Sequence, residues 1–251
     1  MTFIPESAFN STVILGEPQP DGQQPHWIGT GSLLRFHVDD QVRHYLVTAK
    51  HVVEKFPALY AIAPGNVGIA IPLRNAQGAA LWRSPVQQDI DIAVVPVPAN
   101  VQHHVVDEFD LVTGLATTAW LAANNRREGT EAFAIGPLTG VLNNKPNCII
   151  PDTKIARRTT ISHIRETLAH PTRKIILDGL AWNGWSGAPV VALEETEAGP
   201  VARLMAVVAS YIPYSDVLQS PVTSAQVFLQ YNSGLITAYA IDNALDAIGL
   251  F

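Results

Sequence analysis

Short runs in which apolar residues alternate with polar ones, or stand together, recur along the whole chain, and Gly, Pro, Asn and Asp separate them. Runs of this length and punctuation are typical of β-strands joined by tight turns. Long helical periodicities are scarce. The pattern therefore predicts an all-β barrel or sandwich, with strands over residues 32–38, 43–48, 67–71, 90–97, 132–135, 174–177, 204–209 and 225–229.

Helix is expected in two places only. One is a short segment over residues 49–55, and the other begins at Asp242, which is placed to cap a C-terminal helix with apolar Ala244, Leu245, Ala247 and Ile248. Asp39 and Asp40 are expected to form a hairpin turn between the first two strands. The polar stretch 122–130 is the candidate linker, which predicts an N-terminal half over residues 1–120 and a C-terminal half over residues 121–251.

Composition narrows the class of protein. Apolar residues make up 47% of the 251 positions and charged residues 15%, which is typical of a globular chain. The net charge is −6 and no basic stripe is visible, so nucleic acid is not the expected partner. Cys148 is the only cysteine, which fits a reducing compartment. No signal peptide and no apolar run near the roughly 18 residues of a membrane span are visible, so we expect a cytoplasmic protein without membrane contact.

Candidate chemistry is concentrated in three segments. Ser186 lies in a Gly-x-Ser-Gly-x-Pro frame at the start of an apolar run, and His51 and Asp91 lie far upstream. A serine hydroxyl becomes a nucleophile only when a base takes its proton, and a third group must orient that base. An α/β-hydrolase needs its histidine after the serine, whereas every histidine here precedes Ser186. The candidate catalytic residues therefore follow one another along the chain in the order His, Asp, Ser.

Five segments resemble those of trypsin/chymotrypsin-like serine peptidases, and in style the disulfide-free bacterial members, the Deg-type and glutamyl-endopeptidase-like enzymes. The histidine and aspartate segments are similar to Thr-Ala-x-His and Asp-Ile-Ala-Leu of that family, and a glycine-flanked strand precedes the histidine. The matching segments are Gly29-Thr30-Gly31-Ser32, Thr48-Ala49-Lys50-His51, Asp91-Ile92-Ala93-Val94, Ala134-Ile135-Gly136-Pro137-Leu138 and Gly184-Trp185-Ser186-Gly187-Ala188-Pro189.

The resemblance implies a fold and a reaction. The fold would be two six-stranded antiparallel Greek-key β-barrels with a C-terminal helix, together one peptidase domain, the first carrying His51 and Asp91 and the second Ser186. His51 would be the general base, Asp91 its orienting acid and Ser186 the nucleophile, and the N–H groups of Gly184 and Ser186 would form the oxyanion hole. A serine endopeptidase of this kind, bacterial or phage-encoded, needs no metal and no cofactor.

The resemblance also suggests where a protein or peptide substrate binds. The strand 205–210 would pair with the substrate, and Ala238-Tyr239-Ala240 would form the opposite pocket wall. The pocket base has no acidic residue, which predicts a preference for small or apolar side chains before the cleaved bond. Asp178 lies nearby and is the acid that would reverse this preference. The expected substrate-binding residues are Leu180, Ala181, Asn183, Val208, Ala209 and Ser210.

Two alternatives stay open. Asp89, two residues before Asp91, is the rival acid. Trp185 stands where digestive enzymes carry the acid that pairs with a newly cut N-terminus, so activation by that cleavage is not expected. The chain could instead be a latent or non-catalytic module of the same fold that a protein activator switches on or binds.

Overall fold

The two halves of the chain form two β-sheets. The structure is a computed structural model that describes residues 3–19, 25–38, 41–63, 67–98, 107–110, 112–142, 145–164, 169–170, 172–219, 223 and 226–249. The first half contains α1 (Glu6–Asn10), β1 (Thr12–Glu17), β2 (His26–Val38), β3 (Gln41–Thr48), α2 (Lys50–Val53), β4 (Ala58–Ala63), β5 (Val67–Pro72), β6 (Ala93–Pro96) and β7 (Phe109–Asp110). The second contains α3 (Thr118–Ala123), β8 (Glu131–Leu142), β9 (Lys145–His163), β10 (Lys174–Asp178), β11 (Pro189–Thr196), β12 (Gly199–Gln219), β13 (Gln226–Ala240) and α4 (Asp242–Ile248).

The strand order of the second half is a repeat of the first. The first sheet runs β5-β4-β1-β2-β3-β6, with the short β7 parallel to β2, and the second closes as the barrel β10-β13-β12-β11-β8-β9. When the strands of each half are numbered in chain order from its first strand, strands with the same numbers are neighbours in both sheets. The difference is that β12 pairs with β13, whereas their counterparts β5 and β6 do not pair with each other among the described residues.

The predicted all-β class with a C-terminal helix is confirmed. The second half has the six closed strands that were expected. The first half differs in detail, because within the described ranges it is a seven-stranded sheet whose path ends at β5 and β6. In both halves every pairing of the main path is antiparallel.

Three apolar clusters hold these sheets. One fills the first sheet and another fills the second barrel. The third lies between the halves: it joins Phe36 and Val47 of the first sheet and the buried Ile90 and Ile92 to residues of β12, β13 and α4, including Tyr239. The halves are therefore packed together over an apolar interface, and the segment around residue 91 lies in it.

Several local predictions need correction. The strand expected over residues 90–97 covers only Ala93–Pro96, so Asp91 precedes the strand. Asp242 begins α4 but makes no cap there; its carboxylate instead accepts from the N–H and hydroxyl of Thr118 at the start of α3. The helix α4 ends at Gly249, whose φ of 76° is the left-handed conformation common after helices. The expected turn at Asp39 and Asp40 lies outside the described residues.

The sequence patterns did not predict β1, β4 or the long β9, and α3 covers the start of the expected linker. None of the helices in the described ranges combines the length and the apolar character that crossing a membrane requires.

Candidate active site

His51 lies in α2, directly after β3. Val52 and Val53 of the same turn are buried in the core of the first sheet, and this fixes the helix so that His51 points away from the core. Its side chain is 44% exposed. Within the described part of the chain, Nε2 of His51 has no hydrogen-bond partner, so it is free to accept a proton.

Asp91 binds both the ring and the main chain of His51. Its Oδ2 is 2.6 Å from Nδ1 of His51, and its Oδ1 accepts from the N–H of His51 at 3.0 Å. The neighbours Ile90 and Ile92 are fully buried, which holds this irregular segment against the core. The carboxylate therefore fixes the ring with Nδ1 as donor and Nε2 turned to solvent.

Electrostatics favour the ionised carboxylate at Asp91. Burial raises the pKa of the Asp91 carboxyl, but three hydrogen bonds, to the His51 ring and to the N–H groups of His51 and Lys50, act together with the charge of His51 in the opposite direction. The net effect holds the pKa below its ordinary value of 3.8. A carboxylate that stays ionised can stabilise an imidazolium at its side.

Asp89 has a different environment from Asp91. Among the described residues, the partner of His51 is Asp91 and not Asp89. The main-chain oxygen of Asp89 accepts a hydrogen bond of 2.8 Å from the hydroxyl of Tyr239, which comes from β13 in the other half. Burial and the charges of Asp91 and Asp89 raise the pKa of this phenol, so Tyr239 keeps its proton and remains a donor.

Ser186 lies in the loop that leads into β11, and the residue before it holds that loop in the second barrel. Trp185 is fully buried, its Nε1 donates to the oxygen of Pro137 at 3.1 Å, and its ring packs on Gly136. The hydroxyl of Ser186 donates to the oxygen of Ala209 at 3.3 Å. It makes no bond to His51 among the described residues, so an attack on substrate requires the hydroxyl to change partner.

Two main-chain donors beside Ser186 are unused. Within the described residues, neither the N–H of Gly184 nor that of Ser186 has a hydrogen-bond partner, although the intervening Trp185 donates to Trp182. Gly184 has a φ of 86°, and an added Cβ would overlap Ile149 of β9. Unpaired N–H groups in a fixed turn are what an oxyanion site requires.

Thr30, in the middle of β2, joins this loop to the first sheet. Its N–H donates to the oxygen of Ser186 at 2.8 Å, and its hydroxyl donates to the oxygen of Gly184 at 2.5 Å. The oxygen of Thr30 accepts from the Thr48 hydroxyl at 2.6 Å, three residues before His51. The chain of bonds connects the nucleophile loop with the histidine segment, and no sequence motif indicated it.

The loop on the other side of Ser186 is equally confined. Gly187 has a φ of 88°, and a Cβ there would overlap the oxygen of Thr30 and the hydroxyl of Thr48. The N–H of Gly187 donates to the oxygen of Val208 at 2.7 Å. Glycine at this position is thus required both by backbone conformation and by the approach of β2.

The expected substrate strand is free over only part of its length. Val208 is buried, and its N–H and oxygen bond to Ala188 and Gly187, so Val208 cannot pair with a substrate. Up to Val207, β12 pairs with β11. The open edge therefore starts at Ala209 and Ser210. The hydroxyl of Tyr239, in the expected opposite wall, donates to the main-chain oxygen of Asp89.

Part of the expected pocket base is engaged in contacts with the rest of the protein. Ala181 is buried and its oxygen accepts from Nδ2 of Asn232 at 2.5 Å, whereas Leu180 is 40% exposed and Asn183 is exposed. The ring of Trp182 packs edge-on against Trp185 and carries the guanidinium of Arg157 at 3.6 Å. The sequence did not indicate this cation beside the pocket segment.

No group of three or more His, Cys, Asp or Glu side chains among the described residues is arranged to hold a metal ion.

Comparisons with known proteins support the fold. An HtrA-type protease, AlgW, solved with a decapeptide, matches this chain with a TM-score of 0.52 and 13% identity, over 96% of this chain and 64% of its own length. A serine protease of human pathogenic astrovirus matches with a TM-score of 0.47 and 13% identity, over 97% and 94% of the two chains. At such identity the likeness to AlgW shows the chymotrypsin-like fold alone. No protein-family model matches the sequence, and no curated protein matches it.

Proposed function

We propose that the protein is a serine endopeptidase in which His51, Asp91 and Ser186 form the triad. The observation that carries the proposal is the pair of bonds between Asp91 and His51. The N–H groups of Gly184 and Ser186, which have no partner among the described residues, support it. The fold, which this chain shares with an HtrA-type protease, supports the same conclusion.

The reaction follows from this geometry. The hydroxyl of Ser186 leaves the oxygen of Ala209 and donates to Nε2 of His51, which takes the proton as the serine oxygen attacks a peptide carbonyl. Asp91 stabilises the imidazolium that results, and the N–H groups of Gly184 and Ser186 receive the charge that develops on the carbonyl oxygen. His51 then returns the proton to the leaving amine, and water hydrolyses the acyl-enzyme.

The preferred residue before the cleaved bond is small or apolar. The segment Leu180, Ala181, Trp182 has no acidic side chain, and Arg157 adds a positive charge against Trp182. A substrate Lys or Arg near this segment would be repelled rather than paired, which supports the non-basic preference. Asn183 is exposed and is therefore accessible to a substrate.

The alternative is a latent module of the same fold, and one observation favours it. The hydroxyl of Ser186 bonds to Ala209 and not to His51 in the free protein. In free enzymes such a catalytic bond is often loose and forms only with substrate. A protein activator is required only if the free chain does not cleave peptides.

A direct experiment is hydrolysis of a peptide mixture by the free protein, with products identified by mass. We expect cleavage after small or apolar residues, an initial burst of product, and no cleavage by the Ser186→Ala or His51→Ala variants. Cleavage that survives in Ser186→Ala, or that occurs mainly after Lys and Arg, would contradict the proposal.

A further inference from the structure

The strand that borders the candidate active site continues far beyond it. Past Val207, β12 leaves β11 and pairs only with β13 among the described residues, as far as the pair Gln219 and Gln226. We name this two-stranded extension, residues 211–219 of β12 and 226–231 of β13, the arm. At about 3.3 Å per residue, the edge from Ala209 to Gln219 is roughly 33 Å long.

The arm is apolar and exposed. Its large side chains are half exposed or more at Tyr214, Leu218, Val227, Phe228 and Tyr231, with Phe228 at 75%. From Met205 to Ile241 the only charged residue is Asp216. Monomeric proteins rarely expose such a surface without a function for it, and a lone hairpin gains little stability from it.

Several bonds show which main-chain groups face the open edge. The oxygen of Ile212 accepts from the hydroxyl of Ser233 and so faces β13. Pro213, which has no N–H, pairs with Asn232, and the N–H of Val217 bonds to the carboxylate of Asp216. Because groups alternate along an antiparallel strand, the odd-numbered residues face the open edge.

The open edge is continuous with the reactive serine. Ala209, the residue whose oxygen Ser186 contacts, begins the same edge, and Tyr211, Pro213, Ser215, Val217 and Gln219 follow. Donors remain at Tyr211, Ser215 and Gln219, and Pro213 interrupts the row as proline does at strand edges. The register of β12 against β13 shifts between Tyr211 and Pro213 and is regular from Pro213 to Gln219. A peptide that pairs at Ala209 can therefore continue past this shift along the regular edge of the arm.

We infer that the arm binds the substrate chain on the N-terminal side of the cleaved bond, as a third, antiparallel strand that reaches several residues beyond the pocket. The inference rests on the proposed peptidase function. β12 leads away from Ser186, so an antiparallel partner runs towards it and presents its N-terminal flank to the arm. The preferred substrate is an extended, uncharged segment with apolar side chains at alternate positions, which lie against Tyr214 and Leu218 on one face of the arm.

The test compares two fluorogenic amides, a tripeptide and a nonapeptide that share the last three residues. The six added residues alternate apolar side chains with Gln. Two or three additional main-chain hydrogen bonds should raise kcat/KM for the nonapeptide about tenfold over the tripeptide. N-methylation of the added amides should abolish the gain, since the methyl groups remove the donors.

Matched proline variants locate the effect on one edge. Ser215 and Gln230 are direct partners, and their N–H groups face opposite edges of the arm. Ser215→Pro should abolish the gain for the nonapeptide and leave the tripeptide unchanged, whereas Gln230→Pro should retain the gain. Both prolines place the same strain on the hairpin, so the comparison separates edge pairing from damage to the arm.

The outcomes separate the two proposals. Cleavage of both peptides at equal kcat/KM would overturn the arm inference and leave the peptidase proposal intact. Equal effects of the two prolines, or a change of oligomeric state in Ser215→Pro that shows the edge pairs with a second copy of the chain, would also overturn it. If neither peptide is cleaved and Ser186 does not react with an acylating probe, the peptidase proposal fails and the inference fails with it.

Discussion

At the scale of single residues, the candidate site depends on which carboxylate supports His51. Asp91 makes two bonds to His51, and the nearby Asp89 makes none among the described residues. We therefore expect Asp91→Asn to lower kcat about 10⁴-fold, because the wrong tautomer of His51 is then favoured. Asp89→Asn, the matched control, should stay within a few-fold of wild type. The reverse pattern in steady-state kinetics would reassign the acid.

The same carboxylate predicts a pH dependence of stability. The folded-state pKa of Asp91 lies below its ordinary value of 3.8, so its contribution is present above that value and is lost as the pH falls through the folded pKa. We expect the free energy of unfolding of Asp91→Asn, measured in urea, to rise relative to that of wild type as the pH falls from about 5 to about 2. A difference that is constant over this range, or that changes in the opposite direction, would contradict the assignment.

Sequence reasoning named the candidate catalytic residues but not the contacts that position them. His51, Asp91 and Ser186 stand in recognisable frames, and the structure brings His51 to Asp91. Thr30 and Tyr239 act through main-chain oxygens of distant residues. Such bonds impose no motif on the acceptor residue, so only the folded structure reveals them.

At the scale of elements, β2 supports the nucleophile loop through the Thr30 hydroxyl. Thr30→Val keeps the shape of the side chain but removes the hydroxyl that donates to the oxygen of Gly184. The loss should lower the free energy of unfolding by about 1–3 kcal/mol and should also lower kcat. Thr12→Val is the control, since Thr12 is also buried and its hydroxyl bonds to the oxygen of Ala8, away from the site. Equal losses of kcat in both variants would show that Thr30 has no special role in the site.

The turn after Ser186 allows a second comparison at this scale. Gly187 and Gly129 have φ values of 88° and 86°, but a Cβ would overlap Thr30 and Thr48 only at Gly187 and would meet nothing within 4 Å at Gly129. Gly129→Ala should cost roughly 1–2 kcal/mol from backbone strain alone. Gly187→Ala should cost about 1–3 kcal/mol more, from overpacking, and should inactivate the site. Chemical denaturation measures both, and equal losses would exclude the overlap.

Elements were predicted where alternation was clear, as at β3, β10 and α4, and were missed where it was not. β11 begins with four buried residues in succession, so it reads as a continuous apolar run and was not among the predicted strands. β12 near the site is also buried on both faces, but its run over residues 204–209 was predicted as a strand. A strand was expected over residues 225–229, but the length of the arm could not be foreseen, because its two strands alternate weakly and its apolar residues resemble those of a core.

At the scale of the whole molecule, the proposed triad is divided between two halves with the same strand order. The apolar interface between them positions Asp91, and Tyr239 adds a hydrogen bond across it. Tyr239→Phe should lower kcat about tenfold with little change of KM, because the acid segment shifts relative to Ser186. Tyr45→Phe is the control, as Tyr45 packs against the same cluster. An unchanged kcat in Tyr239→Phe would show that packing alone positions the segment.

The central claim is that Ser186 is an activated nucleophile, and reaction of the free protein with a fluorophosphonate tests it most directly. The account predicts a single label on Ser186, located by mass spectrometry of the peptides, with almost none in folded Ser186→Ala or His51→Ala. Folded wild-type protein that remains unlabelled, or that is labelled equally in Ser186→Ala, would contradict the account.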